Sequence, residues 1–533
     1  MPTLNWIGKE AVVNHHHAVP FHLLQDIPEL ACGEPGEGNL IVQGDNLVAL
    51  KALLPYYAGQ VKCIYIDPPY NTGNEGWIYN DNVNSPVIRD WLGQVVGKEG
   101  ETLDRHDRWL CMMYPRLAIL HQFLRDDGVI FVSLDDTELA NFRLIADEIF
   151  GENNFVADAL WQKRTSPDAR LLLSDAHDHT VCYARNKERV TLNKIPQTET
   201  QLKAYKNPDD DPRGRWVSSD YAAQGYRPNQ MYEITTPSGR KVKPPEGSCW
   251  KNVEDVFRSL VADNRIWFGK NGDGVPRRKT FLAESEGVAA WTWWSNDEVG
   301  HSQEAKKELL DIFEDKAVFP TPKPTRLLER IVQISTNPGD IVLDSFAGSG
   351  TTAHAVCKFN AAQPDLPQRH FILIEMQSEI ARTITAERVR RVAQGYTNAA
   401  GEKVAGLGGG FRFCELGQPL FDEGRKIPEA IRFADLARHV YFSETGEPLT
   451  REHVPATPLL GVCRGVAVYL LYNGILGDKS AAGGNVLTRA VLASLPPSSA
   501  TRVIYCAGCL LGRDRLAAEN IVVRQTPYEI KVS

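Results

Sequence analysis

The 533-residue sequence has no apolar run approaching the roughly 20 residues needed to cross a bilayer, so no membrane association is expected. Its first residues lack the basic-then-apolar pattern of a secretory signal. Ten cysteines are scattered without a framework, which points to reduced thiols in a cytoplasmic chain rather than disulfide-stapled domains. One CxxC pair exists, Cys506-Ala-Gly-Cys509, but neither a second pair nor a nearby histidine accompanies it. It reads as two semi-buried thiols, not a zinc site. The triplet His15-His16-His17 cannot turn three adjacent side chains onto one ion and reads as a solvated segment. An excess of positive charge is also missing: the net charge is −8. That gives no support to a nucleic-acid partner, but it does not exclude one, because only one face must be basic. No ATPase or helicase motif occurs, so any strand-cleaving or translocating activity would need another chain. What is present, 43% hydrophobic and 24% charged residues, suits two to four domains with real cores.

The most informative stretch is Ile64-Tyr65-Ile66-Asp67-Pro68-Pro69-Tyr70-Asn71-Thr72-Gly73. Val61 to Ile66 is apolar and β-rich, as expected of a buried parallel strand. Pro68 and Pro69 cannot donate ladder hydrogen bonds, so the chain leaves the sheet as a stiff loop. That loop projects a carboxylate, a backbone carbonyl and an aromatic ring from the carboxyl end of a strand, where α/β sheets bind ligands. Two acceptors with no competing donor suit an exocyclic amine, and the ring can stack on a flat base.

Residues 1–38 read as an irregular N-terminal extension. Leu40 to Gln43 is a short strand, and an amphipathic helix with Leu47, Leu50, Leu53 and Leu54 follows. Strand, helix and the Asp67 strand make a β-α-β unit. Asp45, between the first strand and its helix, reads as a helix N-cap. Polar residues 71–107 suggest a long loop beside the turn, as a lid or DNA-facing segment. A helix over Trp109–Leu124, the strand Val129–Leu134, a helix to Phe150 stopped by Gly151, and an edge strand Phe155–Trp161 complete a first half over 39–161. This half has no glycine-rich loop. Residues 162–317 interleave Pro, Gly, Trp and basic segments: Gln162-Lys163-Arg164, Arg213-Gly214-Arg215-Trp216, Arg240-Lys241-Val242-Lys243 and Pro276-Arg277-Arg278-Lys279, with Trp291, Trp293 and Trp294 grouped. The region as a whole is a candidate DNA-recognition insertion; for any single residue, a solvated loop is the better reading.

Order returns over 318–409. A helix with Leu327, Leu328, Ile331 and Val332 leads into the strand Ile341-Val342-Leu343 and the string Asp344-Ser345-Phe346-Ala347-Gly348-Ser349-Gly350-Thr351-Thr352. Glycines at a helix start let a backbone approach a ligand, as in dinucleotide loops. Glu375 ends the next strand, well placed to hold ribose hydroxyls. Residues 410–533 read as a small α/β domain, a candidate surface for a partner subunit.

Asp67-Pro68-Pro69-Tyr70 resembles the catalytic motif of the DNA amino-methyltransferases, and the string from Asp344 to Thr352 is similar to their S-adenosylmethionine loop. Catalytic strand first, insertion second and cofactor loop last is the circularly permuted order of the β class. With Leu134-Asp135-Asp136 and Asp147-Glu148-Ile149-Phe150-Gly151 added, residues 39–160 and 318–395 resemble the modification subunits of type III restriction–modification systems. The resemblance implies an α/β, doubly wound, mostly parallel Rossmann-like sheet. It implies S-adenosyl-L-methionine as cofactor, double-stranded DNA as substrate, no metal in the reaction, and a restriction or translocating subunit or a second copy as partner. It implies that adenine is swung out of the duplex and stacked on Tyr70, with Asp67 and the Pro68 carbonyl accepting its amino hydrogens. Phe346, Gly348, Gly350 and Thr351, with Asp344, would shape the cofactor pocket. Thr321 and Lys323 would lie at its methionine, Glu375 at its ribose and Asp45 near its adenine. Asp67 rather than serine favours N6 of adenine over N4 of cytosine, which stays an alternative. A DNA-specificity subunit without catalysis is another, against which the intact Asp67, Tyr70 and Gly350 argue. RNA or protein methylation stays open too, but the basic and aromatic insertion favours DNA.

Overall fold

The computed structural model describes residues 3–33, 38–72, 105–168, 172–314, 318–422, 426–428, 430–449, 454, 457–472 and 484–526. The loop expected over 71–107 lies outside the described residues except at its two ends. Residues 194–290 form one compact unit, and the remainder of the chain another.

The larger unit is built on ten strands: β1 (His22–Asp26), β2 (Leu40–Gln43), β3 (Val61–Ile66), β4 (Leu124–Leu134), β5 (Phe155–Gln162), β6 (His177–Ala184), β7 (Trp293–Trp294), β8 (Ile341–Asp344), β9 (His370–Glu375) and β10 (Arg412–Pro419). Their order is β1-β10-β2-β9-β8-β3-β4-β6-β5-β7. The six strands from β10 to β4 run parallel, while β1 and β6 run antiparallel to their neighbours. All six residues of β3 are buried, as a strand covered on both faces demands.

The main helices are α1 (Asn46–Tyr57), α2 (Arg105–Phe123), α3 (Leu139–Phe150), α4 (Ser302–Ile312), α5 (Thr325–Ser335), α6 (Thr351–Ala362), α7 (378–394) and α8 (Phe433–Thr445). α1 and α2 bury Leu47, Leu50, Leu53, Trp109, Met113 and Leu117 in one core with β3 and β4. Gly151, at φ 89°, ends α3, a conformation open to glycine at little cost.

Several expectations need correction. The N-terminal stretch 1–38 is not irregular throughout: His22–Asp26 pairs with β10, which itself falls inside the span 410–533 expected as a separate domain, and His16 of the histidine triplet is buried rather than solvated. Local sequence shows neither, because each partner comes from a distant part of the chain. β2 and β3 are joined by α1 but are not neighbours. β9 and β8 lie between them, with Ile374 beside Val42 and Leu343 beside Ile64. A crossover fixes handedness, not how many strands it skips, and here strands from the far half of the chain fill the gap. Nor is β5 the edge. β6 separates it from β4, and the two-residue β7 runs along its other side. The apolar run Val181-Cys182-Tyr183-Ala184 was masked in the sequence by the polar start His177-Asp178-His179.

The unit 194–290 pairs Trp216–Asp220, Arg277–Phe281 and Ile266–Trp267 in an antiparallel sheet, and Tyr221, Trp250, Phe257 and Phe268 pack a small core. It is shorter than the 162–317 span set by composition, because 177–184 and 293–314 carry elements of the larger unit. Several of its basic residues serve its own fold. Lys279 is buried against Asp209 and Asp211, Arg213 pairs with Asp211, Arg277 with Asp220, and Lys241 with Glu233. The side chains of Lys279 and Asp211 are wholly buried, whereas the Arg277 and Lys241 pairs stand at the surface, where such pairs add little stability.

Towards the C-terminus, β11 (Leu459–Cys463), β12 (Val466–Leu470), β13 (Thr501–Cys506) and β14 (Ile521–Gln525) form a sheet in that order. α8 packs on it through Leu436 and Val440, in a core that takes in Phe21. Among the described residues, no helix is long and apolar enough to cross a membrane.

Candidate active site

β8 and β3 lie side by side, so the turns that follow Asp344 and Ile66 leave the same end of the sheet. β8 connects outward to β9 on one side, β3 to β4 on the other. The boundary between them is the point where the winding reverses, the usual ligand crevice of such a sheet. A cleft there is lined by Tyr65, Asp67, Phe319, Thr321, Lys323, Asp344, Phe346, Gly348 and Thr351 among others. The two sequence motifs therefore meet, although some 280 residues separate them.

On the β3 side, the indole Nε1 of buried Trp109 donates to the Pro69 carbonyl at 2.7 Å. Asn71 follows at φ 62°, and its amide donates to the Arg105 carbonyl at 3.0 Å and to the buried Glu138 carboxylate. The Pro-Pro turn is thus clamped by α2 and by the acid that precedes α3. The Tyr70 hydroxyl lies 3.5 Å from Asp178 Oδ2, and Lys163 donates to Asp178 Oδ1 at 2.6 Å. Burial, with Asp178 and Asp67 nearby, holds the Tyr70 phenol far above its ordinary range, so it stays neutral. Asp67 accepts from Lys323 Nζ at 2.5 Å through Oδ2, while its Oδ1 is buried and takes no hydrogen bond.

On the β8 side, Gly348 and Gly350 sit at φ 50° and 77°. A Cβ on Gly348 would come within 3.1 Å of the Phe319 ring. Asp344 is buried; it accepts from the Phe346 amide at 3.0 Å and the Thr352 hydroxyl at 2.5 Å. Burial, reinforced by Asp67 and Glu375, pushes its carboxyl up to about 7. Glu375 accepts from the Gly348 amide at 3.0 Å and the Gln377 amide at 2.9 Å. Thr351 turns its hydroxyl to the Lys323 carbonyl at 3.3 Å and receives Arg388 at 2.8 Å. Asp45 caps α1, accepting from Leu47 and Val48 amides at 3.0 and 3.1 Å, and pairs with Arg116 at 3.1 Å. Its observed work is therefore the N-cap that the sequence allowed.

Sequence reasoning missed several supports. Arg388 is fully buried and reaches Ser349, Thr351, Thr325 and Glu308, tying the glycine loop to α5 and α4. It sits in α7, whose Ala381–Thr385 segment is a π-type turn. The Thr385 hydroxyl donates to the Gly348 carbonyl at 2.6 Å. Asp178, also missed, is the second residue of His-Asp-His on β6. Its neighbour His179 bridges Asp158 at 2.8 Å and Asp136 at 3.0 Å, and these carboxylates, Asp158 first, raise the imidazole above its ordinary range. His177 stands close by, a ring nitrogen within 4.8 Å of an Asp136 carboxylate oxygen and of a His179 ring nitrogen. Only the alternation of a strand could have suggested that Asp178 and the two histidines take different faces.

Residues 61–387 match the family model described as DNA methylase. The chain is 38% identical over 368 residues to the type III restriction-modification enzyme StyLTI Mod subunit of Salmonella typhimurium, covering 66% of this chain and 54% of that one. It is 32% identical over 430 residues to the EcoPI Mod subunit of Escherichia phage P1, covering 72% and 65%. For the EcoP15I Mod subunit of Escherichia coli the figures are 28% over 425 residues, 70% and 64%. The chain thus spans between about half and two thirds of these relatives' lengths. Since the matched stretch takes in both the Asp67 turn and the glycine loop that face each other across β3 and β8, this chain belongs to the DNA methylase family.

Proposed function

We propose that the chain methylates the exocyclic N6 amino group of adenine in double-stranded DNA, using S-adenosyl-L-methionine. The observation that carries this reading is the Asp67 carboxylate, with a buried oxygen that takes no hydrogen bond, in one cleft with the glycine loop of the neighbouring strand. The residues fit the cofactor: two positive-φ glycines turn the loop at the start of α6, Gly348 packs so closely on the Phe319 ring that a Cβ would crowd it, and Phe319, Phe346 and Gly348 line the same cleft as Asp67. Phe346, Gly348, Gly350, Thr321 and the rim at Thr351 would hold the cofactor. Glu375, at the end of β9 and beside the glycine loop through the Gly348 amide, would take its ribose. When bound, the cofactor supplies a methyl group on a cationic sulfur.

The chain's own residues do the rest. An amino group inside the duplex cannot be reached, so the base must be extruded. The Tyr70 ring would stack on it, held by its hydroxyl near Asp178. Asp67 and the Pro68 carbonyl would accept the two amino hydrogens, which localises the nitrogen lone pair and fixes its direction. The Pro69 carbonyl is committed to Trp109, so the turn presents one carbonyl rather than two. Positioning and fixed charge supply the rate. Asp344 would support the pocket as part of the cleft lining, and Asp45, the N-cap of α1, would lie near the adenine.

The unit 194–290 is the candidate for reading DNA sequence. The relatives are named as subunits of restriction-modification enzymes, which supports a restriction or translocating subunit as partner; a second copy of the chain is the other candidate. N4 of cytosine is the second reading of the reaction, which Asp67 in place of serine disfavours.

Incubation with isotopically labelled cofactor and duplex DNA, followed by nucleoside mass spectrometry, tests the reading. N6-methyldeoxyadenosine is expected. N4-methyldeoxycytidine would move the target to cytosine, and an absence of labelled DNA would overturn methylation. Asp67→Ala should abolish turnover while cofactor binding by calorimetry is retained.

A further inference from the structure

Lys323 stands at the join of the two half-sites. Its carbonyl accepts from the Thr351 hydroxyl of the glycine loop. Its neighbours Pro322 and Pro324 restrict the backbone, so the root of the side chain is fixed on the β8 side. Its ammonium crosses to the β3 side and meets Asp67 Oδ2 at 2.5 Å. The same ammonium lies 5.0 Å from the centre of the Tyr70 ring and 5.9 Å from that of Trp161. Lysine and aspartate side chains are only 10% and 12% exposed, so water screens the pair weakly.

Around Asp67 stand Asp344 on β8, the Tyr65 phenol on β3, Tyr70 in the turn itself and Asp178 on β6, the last already paired with Lys163. Among the described residues, Lys323 is the cation in contact with Asp67. A carboxylate in such a setting without a cation is expensive, and without a fixed donor it rotates about its terminal bond. Lys323 deals with both: it occupies one oxygen and leaves the other.

We propose that Lys323 is the positioning residue of the amine acceptor: it pins Oδ2 of Asp67, so that Oδ1 is presented to the target amino group, and it steadies the stacking face of Tyr70. This deepens the methyl-transfer reading and rests on it. It differs from the role the resemblance implies, a contact to the cofactor's methionine, because it predicts an effect on the transfer step itself. A lysine serving only the cofactor would alter binding and nothing after saturation. An acceptor-positioning lysine alters the rate with cofactor and DNA both saturating.

The test uses the full chain with labelled S-adenosylmethionine and the duplex that the natural protein methylates. Single-turnover methylation at saturating cofactor and DNA is compared for Lys323→Met, Lys323→Gln and Lys323→Arg, with cofactor Kd measured by calorimetry. For Lys323→Met the expected rate is lower on the order of 10²-fold, the scale of one lost preorganised electrostatic contact, with little change in the DNA KM. Lys323→Gln, which keeps a donor but no charge, should fall between, and Lys323→Arg should recover a large part of the loss. Should the methionine variant fail to fold, the glutamine and arginine variants carry the comparison. A raised cofactor Kd with an unchanged saturated rate would overturn the proposal while leaving the methylation reading intact. A natural protein that methylates no DNA would remove that reading and this one together.

Discussion

The indole of Trp109 and the carbonyl of Pro69 are joined by a 2.7 Å hydrogen bond that ties helix α2 to the Pro-Pro turn. Trp109 is wholly buried, so the bond is shielded from water and the carbonyl has no solvent to fall back on. Trp109→Phe keeps most of the apolar contact and removes the donor. Leaving one buried acceptor unpaired costs about 1–3 kcal/mol. The variant should show a lower Tm by calorimetry, and its methylation rate should fall because the Asp67–Tyr70 turn loses its clamp. Unchanged turnover with a lowered Tm would make Trp109 a purely structural support.

The glycine loop gives a second expectation. Gly350 sits at φ 77° and ψ 27° as the residue before α6, and a Cβ there would approach the Thr385 carbonyl to 3.3 Å. Gly350→Ala therefore carries a left-handed backbone penalty of roughly 1–2 kcal/mol and presses on the π-type turn of α7. Cofactor Kd should rise and Tm fall together; calorimetric titration and thermal unfolding measure both. An alanine variant that binds cofactor like the natural chain would mean that the loop tolerates a side chain at its closest approach.

Much of the site was legible because its chemistry is local in sequence. Asp67 to Tyr70 follows one strand, and Asp344 to Thr352 follows another, each with its punctuation of Pro or Gly. The parallel sheet was legible for the same reason: Ile64, Ile66, Val342 and Leu343 are apolar without alternation. The pairings were less legible. The permuted order of the motifs implies that strands from both ends of the chain complete one sheet, and β8 does lie beside β3; nothing in the composition of β2 and β3 says that β9 would stand between them as well. The supports were the least legible of all. Trp109, Glu138, Asp178 and Arg388 lie on elements whose spacing marks a strand or helix but whose partners come from elsewhere in the chain. Such residues are specified by three-dimensional packing, and a buried Arg388 looks, in the string Arg388-Val-Arg390-Arg391, like any solvated helix cation. In the basic segments, Arg213, Arg277 and Lys279 meet acids spread over the same unit, pairings that the spacing of the sequence does not show.

Asp344 gives a pH dependence with a definite sign. Its carboxyl has an ordinary value of 3.8 and is raised to about 7 in the folded chain, chiefly by burial. Between those values the folded state keeps a proton that the unfolded state has released. Stability contributed by this group therefore falls as pH rises from about 4 to 7, with a slope of at most about 1.4 kcal/mol per pH unit, and the full penalty stands above 7. Asp344→Asn removes the titration. Its Tm, followed from pH 5 to pH 8, should change less with pH than that of the natural chain, whatever the difference in absolute level. Parallel curves would show that Asp344 is ionised throughout and that the Thr352 and Phe346 donors outweigh burial.

Arg388 offers the severest test of how the cofactor wall is built. Its guanidinium, 1% exposed, donates to Ser349 at 3.0 Å, Thr351 at 2.8 Å and Thr325 at 3.1 Å, and lies 3.4 Å from Glu308. Burial lowers the arginine from its ordinary range, and Glu308 works against that. Arg388→Met leaves a half-buried carboxylate and three hydroxyls without their common donor. Removing one partner from such a buried network costs about 3–5 kcal/mol. Arg388→Lys keeps the charge but has no planar fork to span several acceptors, so it should recover only part of the loss. Thermal unfolding should rank the natural chain above lysine and lysine above methionine. The stabilisation gained on adding S-adenosylmethionine should shrink in the same order, because the loop that would hold the cofactor hangs on this side chain. If both variants unfold at the natural temperature, the network is dispensable and the glycine loop is held by its other bonds, to Glu375, Asp344, Thr385 and the Lys323 carbonyl.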